Sequence, residues 1–409
     1  NNTGDNMRVG ISGFQPERLT QIREARGLSK INLGRLVERS PSTITKWENG
    51  SHSPDAEVLH ELSKILNCPV TWFTKVYSPQ PEKNKKPVFF RTLSSTAKDL
   101  CKASEIYMEW LQELSSHFQE YVDYPDVNVP YLKVDDYRAI DDETIMKMAF
   151  ECRKLWGLGI APVDDLLLVM ENAGIVCSRF EQGSSMMDGY SQWNELEGRP
   201  YVILASDKDN YFRSRFDAAH ELGHVVLHRY INKLDSICFK PIEEQAHRFA
   251  SYFIFPEEAF SVELPTYPTL ENFLALKSRW GMSAQAMVFR ANKSELISQM
   301  EYQRLYKSIS ARGWRKGEPL DDLRKPESVR LLPRCLNLLL DSGVFTKKSI
   351  LETFNFSKGD LEDLCSVPKG FLSESSVLDF KSKVQLKNSL EQKQKAHEAQ
   401  NVVSLFGEK

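Results

Sequence analysis

A chain of 409 residues, 41% hydrophobic and 27% charged, is long enough for two or three domains and apolar enough to bury a core. No apolar run approaches the roughly 18 residues of a membrane span, no signal peptide stands at its start, and its seven cysteines are single, without a CxxC pair. That pattern argues against a membrane protein, a disulfide framework or a zinc knuckle, and leads us to expect a cytoplasmic protein with reduced thiols. The net charge of -3 decides nothing about nucleic acid, because phosphate contacts depend on local charge.

The first elements carry such a local excess. Residues 16–46 hold seven basic side chains (Arg18, Arg23, Arg26, Lys30, Arg35, Arg39, Lys46) against three acidic ones (Glu17, Glu24, Glu38). From Pro16 to Thr74 the sequence predicts about five short helices, separated by turn signals at Gly27-Leu28-Ser29, Arg39-Ser40-Pro41, Asn49-Gly50-Ser51 and Asn67-Cys68-Pro69. Within them, "LSKINLGRLVERSPSTITKWENGSHSP" reads as two helices joined by a tight turn. Ser29 caps a helix bearing Ile31, Leu33, Leu36 and Val37, Glu38 to Ser40 turn the chain, and a second helix runs from Pro41 to Glu48. Ile44 and Trp47, three residues apart, point to a core, which leaves Ser42, Thr43, Thr45 and Lys46 towards solvent as in a recognition helix.

This segment, ending in "KWENG" before "SHSP", resembles the XRE family of helix-turn-helix repressors over about residues 14 to 74. The resemblance implies a homodimer on double-stranded operator DNA, with base contacts from Ser42 and Lys46 and phosphate contacts from Lys30, Thr43 and Thr45. It departs from the family at Pro41, where a polar side chain usually reads bases. Proline suits the first helical turn but has no polar side chain, so readout at that base pair becomes indirect.

Next comes "YSPQPEKNKKP", a Pro- and Lys-rich stretch without apolar periodicity, and then a helix over 95–122 with Ile106, Trp110, Leu111, Leu114 and Phe118 on one stripe. Another helix is expected between Leu155 and Met170. Strands are expected at "GIVCSRF" (174–180), "MDGYSQW" (187–193) and "PYVILAS" (200–206), where Tyr190 and Trp193 line a cleft or simply pack.

The chain's chemistry centres on "DAAHELGHVVLHRY" (217–230), which holds three of its eight histidines. A spacing of four puts His220 and His224 on one helix face, about 5 to 6 Å apart, able to aim two imidazoles at one zinc ion (Zn2+). In the HExxH pattern the intervening Glu221 serves as general base and is not a ligand. Three ligands from one straight helix, spread over about 12 Å, cannot reach a single ion, so His228 reads as a helix-end or core residue. The third ligand is sought on the next helix, "IEEQAHRFASYFIFP", where Glu243 offers a carboxylate and Glu244 points about 100° away. Arg213, in "RSRFD", is expected either to brace the metal helix and position substrate or to form a surface ion pair.

"RSRFDAAHELGHVVLH" followed by "EEQAHRFASYFIFP" resembles the ImmA/IrrE family of zinc metallopeptidases, a likeness that spans roughly residues 88 to 320 with "LKSRWGMSAQAMVFRA" and "RGWRKGEP". Carried over, it places the metal ligands on His220, His224 and Glu243, the catalytic base on Glu221, and a zincin-like fold around them. His247 departs from the family, whose members usually have Asn or Asp there; it lies four residues after Glu243, as a partner to the ligands or the third ligand itself. The family's substrates are typically repressor proteins.

The expected architecture is therefore multidomain and mainly α. It comprises an all-α helix-turn-helix domain (1–76), a linker (77–94), an α+β zincin-like metallopeptidase domain with a leading helix (95–318), a helical C-terminal subdomain (319–376) and a polar tail (377–409). The expected function is a DNA-binding regulator whose zinc endopeptidase cleaves a repressor-type partner or itself on a stress or mobile-element signal. The alternative is a transcription factor or antitoxin-like protein whose metal domain has no turnover.

Overall fold

A computed structural model describes residues 11–77, 88–90, 97–183, 188–231 and 239–373. The N-terminal region forms α1 (Pro16–Ala25), α2 (Lys30–Leu36), α3 (Pro41–Glu48) and α4 (Ala56–Leu66), closed by a 3-10 turn over Val70–Thr74. Three of these helices begin at a side-chain cap. Ser29, Ser40 and Asp55 cap α2, α3 and α4 by accepting from the backbone amides of Asn32, Thr43 and Val58, and Asn67 ends α4 in the left-handed conformation. On α2 the expected apolar face is only half realised: Leu33 and Val37 are buried, while Ile31 and Leu36 are about half exposed. A seven-residue helix turns one narrow stripe inwards, and Ile31 lies about 200° round from Leu33.

Within the segment read as a linker, Phe89–Phe90 form a short strand, β1; residues 78–87 lie outside those described. There follow α5 (Ala97–Gln119), α6 (Asp142–Leu155), α7 (Leu166–Asn172), β2 (Val176–Phe180), β3 (Gly189–Asn194), β4 (Arg199–Ala205), α8 (Tyr211–Leu227) and α9 (Phe239–Ile254). The helix expected between Leu155 and Met170 is a correction: α6 ends there and α7 begins at Leu166, because Gly157, Gly159 and Pro162 fall between them and Asp165 starts a new cap. After Pro256, α10 (Glu257–Glu263), α11 (Leu270–Trp280), α12 (Ala284–Lys293) and α13 (Gln299–Ala311) continue the domain. Finally α14 (Leu331–Asp341), α15 (Lys347–Phe354) and α16 (Lys358–Leu364) form the C-terminal helices. The expected polar tail (377–409) lies outside the described residues.

The four strands stand in the order β1-β3-β4-β2; β2 runs parallel to β4, and β3 is antiparallel to both of its neighbours. Side chains alternate across this sheet with period two. Cys177, Trp193, Val202 and Leu204 join a core with α6 to α9 and α11 to α13, whereas Val176, Tyr190, Tyr201 and Ile203 join a second core on the opposite face. That second core includes α5, the N-terminal helices and α14 to α16, so the helix-turn-helix shares apolar packing with the back of the sheet. Trp72, Trp110 and Phe356 meet there with ring centroids 5.1 to 5.9 Å apart. Tyr190 and Trp193 are both packing residues. The six described cysteines are free thiols, and among the described residues no helix is long and apolar enough to cross a membrane.

Candidate metal centre and nucleic-acid interface

The centre is built by α8 and α9, the most extensively packed pair of helices. Asn210 caps α8 by accepting from the Arg213 amide, and nearly every side chain from Ala218 to Leu227 is buried, so the helix runs through the middle of its domain. Gly223 lets α9 come close. A Cβ at that position would sit 3.1 Å from both Cα and O of Ala246 and 3.2 Å from Phe249 Cβ, so any larger residue would push α9 outwards. With the helices this close, Glu243 on α9 faces His220 and His224 on α8.

One ligand atom from each of His220, His224 and Glu243 lies within 4.8 Å of the others. The Nε2 atoms of the two histidines are 3.1 Å apart, and they lie 3.2 and 3.1 Å from the two carboxylate oxygens of Glu243. Both of those oxygens are buried without a donor in hydrogen-bond alignment, a costly arrangement unless something positive stands at the point where all three groups aim. Two imidazoles and a carboxylate are a donor set for zinc that leaves a fourth position open, so the residues fit the ion. Glu244 is exposed on the far side of α9. His247 is outside the converging trio: its ring lies edge-on to His220 at 4.6 Å, and its Nδ1 meets the Glu243 carbonyl at 3.2 Å.

Burial sets the electrostatics. It drives His220 down to about 3, although Glu243 pulls the other way. At His224 burial is outweighed by the Glu243 charge and the group is raised, while Glu243 itself, despite burial, is held well below the usual carboxylate range by the two imidazoles. A cation at the point where the three groups aim would balance the Glu243 charge and favour unprotonated imidazoles.

Glu221 is also buried, and burial pushes its carboxyl up to about 8 against the lowering pull of His224 and of a hydrogen bond from Ser191. Ser191 Oγ donates to Glu221 Oε2 at 2.7 Å from β3. Gly189 on the same strand leaves room, since a Cβ there would come within 3.1 Å of Glu221 Cγ. Sequence reasoning missed Ser191; the alternation along β3 was its one signal, because Ser191 shares a face with Gly189 and Trp193. Arg213 pairs with Asp188 at 2.8 Å, next to Lys208, and so braces the start of β3.

At the other end of the molecule, α3 buries Ile44 and Trp47 and exposes Ser42, Thr45 and Lys46, with Thr43 half-buried. Its first turn is occupied internally: Ser40 Oγ lies 2.7 Å from Ser42 Oγ and 2.9 Å from Thr43 Oγ1, and Thr45 Oγ1 donates to the Pro41 carbonyl at 3.0 Å. Lys30 is paired with Glu48 at 3.1 Å. Much of the basic excess is used inside the protein. Arg18 bonds Glu113 on α5, Arg23 bonds Glu48, and Arg26 bonds Asp360 on α16, while Arg35, Arg39 and Lys46 remain outward.

Comparison with known families agrees with both regions. Residues 170–292 match the peptidase family described as IrrE N-terminal-like domain, and residues 19–73 match a family described as helix-turn-helix. The chain joins a helix-turn-helix domain to an IrrE N-terminal-like domain. The IrrE N-terminal-like match ends one residue before Lys293, the last residue of α12, and contains α8, α9 and the whole metal trio. A search of curated proteins returned no match.

Proposed function

We propose that this protein is a DNA-binding regulator with a zinc-dependent endopeptidase centre, acting on a repressor-type protein or on itself in response to stress or a mobile-element signal. The observation that carries the reading is the convergence of His220, His224 and Glu243 with Glu221 beside them on the same helix. Zinc bound there would supply a Lewis acid that lowers the pKa of a water to about 7. Glu221 would accept the proton at a carboxylate oxygen, and the charge of a bound ion would favour the ionised carboxylate that acceptance requires. Ser191 orients Glu221 by bonding one oxygen, which leaves the other for proton transfer. Glu243 lies 3.2 and 3.1 Å from the two imidazoles, so all three ligand groups aim at one point. A homodimer on operator DNA, with Ser42 and Lys46 towards bases and Lys30, Thr43 and Thr45 towards phosphates, completes the proposal.

The test separates chemistry from metal. Glu221→Gln keeps the shape of the side chain but cannot accept the proton, so it should retain zinc and lose cleavage by about 10²- to 10⁴-fold or more. Cells carrying either form are stressed, and fragments of this protein and of repressors encoded nearby are compared by mass spectrometry. Fragments present only with the unaltered protein support the peptidase. Identical patterns in both, with equal derepression, favour a regulator whose metal domain has no turnover.

A further inference from the structure

His228, the residue that caps the end of α8, is fully buried and bonded on both ring nitrogens. Its Nδ1 lies 3.0 Å from Nδ1 of His224, and its Nε2 lies 3.1 Å from Oε1 of Gln245 on α9. Gln245 is held in turn: its Nε2 donates to the backbone carbonyls of Tyr137 and Ile140, both at 2.8 Å. Carbonyl oxygens only accept, so the amide nitrogen of Gln245 must face them and its oxygen must face His228. We propose that Gln245 and His228 form a relay of hydrogen bonds that fixes the tautomer of His224 and turns its Nε2 lone pair towards the ion.

The direction follows from each end independently. Starting from the backbone, Gln245 Oε1 accepts, so His228 carries its hydrogen on Nε2; its Nδ1 then accepts, and His224 must donate from Nδ1. Starting from the metal, a ligand nitrogen has to present a lone pair, so Nε2 of His224 is bare and its hydrogen is on Nδ1. Both routes give the same arrangement. A ligand histidine usually donates its second N–H to a carboxylate, a carbonyl or water. Here a second imidazole takes that role and passes the orientation back to the loop at Tyr137–Ile140. His228 and Gln245 are positioning residues: His228 meets His224 on the nitrogen turned away from the other two ligands, and Gln245 acts through His228.

The inference rests on the zinc reading above, and its test reports on each separately. Nitrogen NMR of the imidazoles in the full-length protein, with and without zinc, should show His224 protonated on Nδ1 and His228 on Nε2 once the ion is bound. His228→Leu is used to assign the signals. That variant removes the acceptor and should weaken zinc binding about 10- to 100-fold in competition with a chromophoric chelator. His228→Gln can accept through its oxygen and donate through its nitrogen, so it should restore most of the affinity. Gln245→Leu should lose affinity as His228→Leu does. Equal zinc affinity in His228→Leu, or a hydrogen on Nε2 of His228 replaced by one on Nδ1 in the loaded protein, overturns the relay while leaving the metal site intact. Should His228→Leu not fold, the spectrum of the unaltered protein still decides. Absence of zinc binding by the unaltered protein overturns the site itself.

Discussion

Helices α8 and α3 each turn a row of polar side chains to one side, and they do so under opposite conditions. On α8 the row is buried and faces partners from α9 and β3: His220 and His224 face Glu243, and Glu221 accepts from Ser191. On α3 the row faces solvent, and the hydroxyls that are bonded are bonded only to their own turn. A buried polar group must be satisfied by the fold, which makes its geometry informative about chemistry. An exposed one is free to meet an outside partner, and the fold records only which residues are available.

The contrast can be broken most completely at the metal trio. His224→Ala should take the protein from about one zinc per chain to none by metal analysis, while Lys46→Ala leaves the metal content unchanged; equal zinc in both variants would remove the proposed centre. Next in size is a basic residue of the N-terminal region that points inwards. Arg18 is 1% exposed and bonds Glu113, Gln21 and the carbonyls of Lys75 and Val76. Arg18→Ala should cost about 3–5 kcal/mol in denaturant unfolding, and Lys46→Ala about 0.5 kcal/mol or less. Similar losses in the two would erase the difference between inward and outward charge.

A pH titration of stability sharpens the buried side. In the metal-free protein the Glu221 carboxyl rises from 4.5 to about 8 on folding, so the folded state holds that proton more tightly than the unfolded chain does. The resulting stabilisation is complete below pH 4.5 and is lost as pH rises through about 8. Glu221→Gln should flatten this dependence in chelator-treated protein and melt higher than the unaltered chain at pH 8. A difference between the two that does not change from pH 5 to 8 would contradict the assignment.

The smallest effects belong to the exposed side. Lys46→Ala and Ser42→Ala should reduce discrimination between operator and random DNA by about 1–3 kcal/mol. Arg39→Ala should lower the salt dependence of binding by about one unit, and Lys30→Ala by less, because Glu48 already neutralises it. A full unit lost at Lys30 would mean that its pair with Glu48 opens on DNA.

The same contrast explains what the sequence disclosed. His220, His224 and Glu221 were legible because helical geometry alone brings i and i+4 together, and α3 was legible because Ile44 and Trp47 declared its inner face. Ser191 and Gln245 were not, since their roles depend on contacts across elements that no local spacing encodes. Arg18, Arg23 and Arg26 were counted towards a phosphate-facing surface for the same reason: their partners lie up to 334 residues away. The break between α6 and α7 was visible in Gly157, Gly159 and Pro162, but the apolar run after Leu166 masked it.

The shared core on the back of the sheet changes what a cut in the chain would accomplish. The N-terminal helices are joined to α5 by one covalent connection, yet Arg18 and Lys75 meet Glu113, Arg26 meets Asp360, and Trp72 packs against Trp110 and Phe356. A protein nicked there would behave as two complementing fragments held by salt bridges and buried rings, so severing the backbone and freeing the DNA-binding piece are separate events. Release would need that seam to open as well, the ion pairs at Glu113 and Asp360 together with the packed rings of Trp72, Trp110 and Phe356.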